Sequence, residues 1–97
     1  MRLIKNLVEQ IREELHDAGK YAEAAIKCKD NEPDLAATYR HLAEQELGHA
    51  HALHEHVVRA IKKYGGEPPA VMSAIWDWQH EQIIKEEHAV KMLLSME

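Results

Sequence analysis

Glu46 and His49 stand three residues apart in the segment Ala43-Glu-Gln-Glu46-Leu-Gly-His49-Ala50. On a helix, residues i and i+3 project from one face about one turn apart, so a carboxylate and an imidazole would present their donor atoms side by side. Hard carboxylate oxygens with a borderline imidazole nitrogen suit iron or manganese, and would also accept zinc. Glu14, 32 residues before Glu46, offers a further carboxylate. The chain carries eight histidines, five of them between His41 and His56. A Glu-x-x-His pair in so histidine-rich a sequence is a weak signal by itself, and Glu13-x-x-His16 repeats it. What sets Glu14, Glu46 and His49 apart is their place in the helical pattern.

Two breaks define the elements that must position them. Lys29-Asp30-Asn31-Glu32-Pro33-Asp34 places a proline where a new helix opens, and Tyr64-Gly65-Gly66-Glu67-Pro68-Pro69 is a glycine stop followed by prolines. The segments between them predict helices over 2–29, 33–64 and 69–96, each about 40 Å long at 1.5 Å per residue. Connections this short make neighbouring helices antiparallel. No strand alternation and no repeat interrupts the pattern, so the expected fold is all-α, three helices running up-down-up, in a single domain over 1–97. A 97-residue chain buries a marginal core by itself, so well-packed helices or a partner subunit would have to supply the difference.

The apolar stripe of the first helix reads Leu7, Ile11, Glu14, Ala18, Tyr21, Ala25, Cys28. That of the second reads Leu35, Tyr39, Leu42, Glu46, His49, Leu53, with Val57 and Ile61 beyond. The third runs through Met72, Ile75 or Trp76, His80, Ile83, Glu87, Val90 and Leu94. Each expected buried face is interrupted near its middle by groups that resist burial. A lone buried carboxylate costs several kcal/mol unless it is paired, protonated or bound to a metal. Metal ligation by Glu14, Glu46 and His49 is one answer. A buried polar network or a subunit-interface salt bridge, with Arg12 or Arg40 as partner, is the other.

Further candidates sit nearby. His56, two turns beyond His49, is a possible accessory ligand; His80 and Glu87 share the stripe of the third helix and divide between ligand and interface roles. His51 and His54 fall off the stripe and read as solvated surface, as do His16, His41 and His88. Cys28 reads as a small buried hydrophobe and Tyr39 as core. Trp76 and Trp78, about 200° apart on one helix, cannot both face inward, so one is expected at a subunit interface.

Glu14 with Tyr21 seven residues on, followed by Glu46-x-x-His49, resembles the ferritin-like superfamily, in particular its rubrerythrin and encapsulated-ferritin branches. The resemblance covers the first two helices, about two-thirds of the chain. It implies a helical bundle holding a dinuclear iron site that oxidises Fe(II) with dioxygen or peroxide. It makes Glu14 a terminal ligand, Glu46 a bridging carboxylate and His49 a terminal nitrogen donor, with the Tyr21 hydroxyl bonded to a ligand carboxylate. The family's four-helix bundle uses two Glu and two Glu-x-x-His motifs, of which this chain supplies half. The third helix offers Asp77-x-x-His80, Glu81 and Glu87, none repeating the motif. Two routes would complete the site: two copies meeting about a twofold axis would give the full ligand set, or the third helix would supply the rest within one subunit; the arithmetic favours dimerisation, which is the expectation. The segment Met92-Leu-Leu-Ser-Met-Glu97 carries no recognisable extension for docking into an encapsulin shell.

Composition excludes several classes. A net charge of −5 with cations interspersed among acids leaves no basic stripe for nucleic acid. One cysteine rules out an intrachain disulfide framework and a rubredoxin-type site. No apolar run approaches the roughly 18 residues needed to span a bilayer, and with no signal-peptide core the expected location is cytoplasmic. Two rivals to the iron enzyme stand: a non-catalytic helical structural or interaction module whose polar core sets oligomer register, and a zinc- or nickel-binding protein using its histidine-rich second helix.

Overall fold

The computed structural model describes residues 2–63 and 70–96, giving only the helical backbone over 70–75. The expected break at Tyr64–Pro69 and the side chains of Met72 and Ile75 lie outside the described residues. The chain forms three helices, α1 (Arg2–Cys28), α2 (Pro33–Lys62) and α3 (Ala70–Ser95), in an elongated bundle measuring 54 × 17 × 17 Å. The α1–α2 turn closes with the Glu32 amide donating to the Cys28 carbonyl at 2.7 Å. Pro33 then opens α2, where a missing amide proton costs nothing, and Asp34 in the first turn complements the helix dipole. Lys29 Nζ reaches the Met96 carbonyl at 3.5 Å and Arg40 Nη1 the Leu94 carbonyl at 3.3 Å. These contacts set the C-terminal end of α3 beside the α1–α2 turn, giving the up-down-up order.

The core follows the expected stripe on α3, shares Ile11, Ala18 and Ala25 with it on α1, and departs from it on α2. On α1 the buried residues are Ile4, Val8, Ile11, Leu15, Ala18, Ala22 and Ala25; on α2 they are Ala36, Ala43, Leu47, Ala50 and Val57; on α3 Ile83, Val90 and Leu94 join them. Of the stripe expected on α2, only Val57 is buried, while Leu35 is 42% exposed and Leu53 and Ile61 are partly buried at the core's margin. The reason is the alanine seam. Ala36, Ala43 and Ala50 let α2 lie close against α1, and a pattern weighted toward large side chains selects the neighbouring face instead. No polar or charged residue is fully buried among the described residues. Glu14 and Glu46 therefore border the core rather than interrupt it, and keep part of their hydration. Cys28 is likewise half-buried rather than a core residue.

The α1–α2 hairpin thus has two faces. α3 covers one: a Cβ on Gly19 would lie 3.7 Å from Val90, and Arg12 pairs with Glu86 at 3.6 Å. At 100° per residue Gly19 and Glu14 point about 140° apart. The other face carries Leu7, Glu14 and Tyr21 of α1 with Tyr39, Leu42, Glu46 and Leu53 of α2, all half-buried, and no described helix covers it. Trp76 packs on the core while Trp78 is 55% exposed, as the helical geometry requires of a pair that cannot both turn inward.

Candidate metal centre

Glu14, from the middle of α1, meets Glu46 and His49 from the middle of α2. His49 Nδ1 lies 3.4 Å from Glu14 Oε2 and 3.8 Å from Glu46 Oε2, and one ligand atom from each of the three falls within 4.8 Å of the others. The i, i+3 spacing brings Glu46 and His49 together on one helix, and the antiparallel pairing delivers Glu14 opposite them. The two carboxylates are largely covered, with side chains 29% and 20% exposed, whereas His49 is 62% exposed. Among the described residues no lysine or arginine pairs with Glu14 or Glu46: Arg12 is engaged by Glu86 and Arg40 by Glu44. Two close carboxylates facing one imidazole make a concentrated negative pocket on the uncovered face, chemistry that attracts a divalent cation.

The layer next to this group is aromatic. Tyr21 stands seven residues after Glu14 and Tyr39 seven before Glu46, so antiparallel packing brings them together about 10 Å along the bundle. Their rings stack at 6.1 Å. The described contact of Tyr21 is thus a ring stack with Tyr39, in place of the expected hydroxyl bond to a ligand carboxylate.

The remaining candidates lie elsewhere. His56 is exposed, beside a groove it shares with Leu3, Leu7 and Arg59, and does not join the three donors. His80 stacks on Trp76 at 5.0 Å and on His54 at 5.1 Å. Glu87 accepts from His51 Nε2 at 2.6 Å and from Lys91 Nζ at 3.0 Å. Both belong to the α2–α3 seam. His51 is exposed, as expected, and reaches Glu87 from the edge of that seam, whereas His54, expected as solvated surface, is half-buried in it. The signal that could have found them is their i, i+3 spacing opposite an i, i+7 pair, His80 and Glu87.

Burial, reinforced by the neighbouring His80 and His51 imidazoles, lowers the His54 pKa below 6.5. Partial burial pushes Glu87 up, but its hydrogen bond from Lys91 and the charges of His51 and Lys91 prevail and hold it below the usual carboxylate range. For both groups the unfolded chain binds protons more readily than the folded one, so stability rises with pH across the interval between the two pKa values. The His54 contribution is complete above pH 6.5, its reference value, and declines as pH falls below it. Glu87 follows only in the more acidic carboxylate range. Thermal melts of the metal-free protein at pH 8 and pH 5.5 should show a lower Tm at pH 5.5, and His54→Gln should shrink that difference. A Tm gap that the substitution leaves unchanged would remove His54 as its cause.

The family model described as rubrerythrin matches residues 5–83, from the start of α1 into the middle of α3. No curated protein and no solved structure matches the chain.

Proposed function

The chain belongs to the rubrerythrin family, and from that premise we propose that Glu14, Glu46 and His49 are half of a dinuclear iron centre, completed across a twofold axis by the same residues of a second copy, which oxidises Fe(II) with dioxygen or peroxide. The observation that carries this reading is the placement of the three donors: converged within 4.8 Å, yet on the one face of the hairpin that α3 leaves open. Within one chain, three protein donors serve one cation poorly and two not at all. Doubled about a twofold axis they become four carboxylates and two imidazoles, whose charge balances two divalent ions and whose count fits helix-bundle di-iron sites.

The residues fit the metal by chemistry as well as number. Oxygen-rich donors with one imidazole per ion suit iron, and the same set would accept manganese or zinc. In this reading Glu46, the least exposed of the three, would be shared by the two ions, its charge offsetting their mutual repulsion. Glu14 and His49 would each hold one ion, with Nδ1 the donor because that atom already faces both carboxylates. Ferrous ions taken up as substrate each give one electron to dioxygen or peroxide. The stacked Tyr21 and Tyr39 rings wall one side of the centre, and the partner's helices would cover the exposed His49 edge and exclude water.

Oxygen consumption on adding Fe(II) at neutral pH tests the activity. The expected result is oxidation well above the buffer rate, suppressed by zinc, which competes for the donors without redox chemistry. Oxidation no faster than in buffer, with assembly indifferent to chelator, would overturn the enzyme and leave a structural module.

A further inference from the structure

We propose that His51, His54, His80 and Glu87 form a second metal site, on the seam between α2 and α3, which takes a zinc-class divalent cation and clamps α3 onto the α1–α2 hairpin. It stands apart from the Glu14 group: His51 and Glu46 point about 140° apart on α2, and the seam lies on the face that α3 covers.

Three observations carry the proposal. The four side chains line one small cavity of about 100 Å³, floored by Ile11, Leu15, Ala50 and Ile83. They meet as two pairs, with His51 on Glu87 at 2.6 Å and the His54 and His80 rings stacked at 5.1 Å beside Trp76, and their donor atoms have still to converge, since among the described residues only Glu14, Glu46 and His49 bring three donors within 4.8 Å. And they are the wrong residues for simple packing. A seam between two helices gains most from aliphatic side chains, whereas the half-buried His54, His80 and Glu87 carry a desolvation cost there without adding apolar burial, with His51 at its exposed edge.

As ligands the same residues make sense. Three nitrogen donors and one carboxylate oxygen are the set zinc, cobalt and nickel favour, softer than the two-carboxylate group on the open face. Without metal, His51 Nε2 donates to Glu87; with the cation, that nitrogen would turn its lone pair to the metal and the ring would carry its proton on Nδ1. His54 and His80 turn out of their stack to complete a four-coordinate shell. Each helix supplies two ligands, which is what makes the site a clamp.

Titration with Co(II), read by its visible d–d absorption, tests the site on four forms of the full chain. Wild type and Glu46→Ala should both develop the intense bands of a four-coordinate site at about one equivalent, and zinc should bleach them and raise Tm. His54→Gln with His80→Gln should weaken that binding by about 100-fold or more, as should Glu87→Gln alone, which spares the histidine stack. The surface control His41→Gln with His88→Gln should leave it unchanged. Far-ultraviolet circular dichroism of each variant reports that the helices remain. Bands that survive in both seam variants, or that vanish in the surface control, would overturn the proposal. So would their loss in Glu46→Ala, which would assign all the metal to the open-face centre. Conversely, a seam that binds cobalt in a chain that fails to oxidise iron leaves this inference intact and removes the ferroxidase.

Discussion

Glu46→Ala should abolish iron retention without unfolding the protein. The proposed twofold arrangement would magnify the change, because one substitution would remove both bridging carboxylates and leave a Glu14 pair to balance two divalent ions. Affinity should fall by about 100-fold or more, beyond what the loss of a supporting group around a metal costs. Stability should move the other way. In the metal-free chain Glu46 is a largely covered carboxylate beside Glu14, with no lysine or arginine partner among the described residues. Removing it relieves like-charge repulsion, and alanine is the better helix former. The metal-free variant should therefore melt at or above the wild-type temperature. A polar network built for stability predicts the reverse, a loss of about 1–3 kcal/mol as His49 and Glu14 lose a partner. Iron content and Tm measured together on the two proteins separate these outcomes by sign.

Leu42→Lys should dissolve the proposed dimer and carry iron binding away with it. Leu42 is half-buried on the open face, one turn before Glu46, so a lysine there can extend into water in an isolated chain. Across a twofold interface it appears twice, and each ammonium would be buried against an apolar partner surface at a cost of several kcal/mol. At 1.4 kcal/mol per tenfold, the dimer should weaken by about 1,000-fold or more. Sedimentation of the metal-free variant should give a helical monomer, and Fe(II) oxidation should fall to the buffer rate. A variant that stays dimeric would show that Leu42 is outside the interface; a monomer that still oxidises iron would place the whole centre in one chain.

The helices and the three donors were legible because their signals are local. Pro33 after a polar turn marks where α2 begins, and an i, i+3 pair stays a pair wherever the helix is placed. The rotation of α2 was not legible, whereas on α3 the expected Ile83, Val90 and Leu94 are the buried residues. α2 carries two adjacent apolar stripes, one of small alanines and one of Tyr39, Leu42, Glu46 and Leu53, and hydrophobic size favours the second. The first wins in the folded chain because alanine permits close helix approach. The larger stripe lies on the open face, which a second copy would cover in the proposed dimer. The α2–α3 seam was hidden for a different reason. His51 and His54 become a cluster only when α3 brings His80 and Glu87 opposite, a pairing across more than twenty residues that no local pattern encodes.

Iron stoichiometry in the assembled protein tests the central claim most directly. After anaerobic loading with Fe(II) and exposure to air, the shared centre predicts about one iron per chain, two per dimer, with a ferric absorption band that Glu46→Ala loses. Two irons per chain would contradict it, moving the centre inside a single subunit and making α3 a source of ligands.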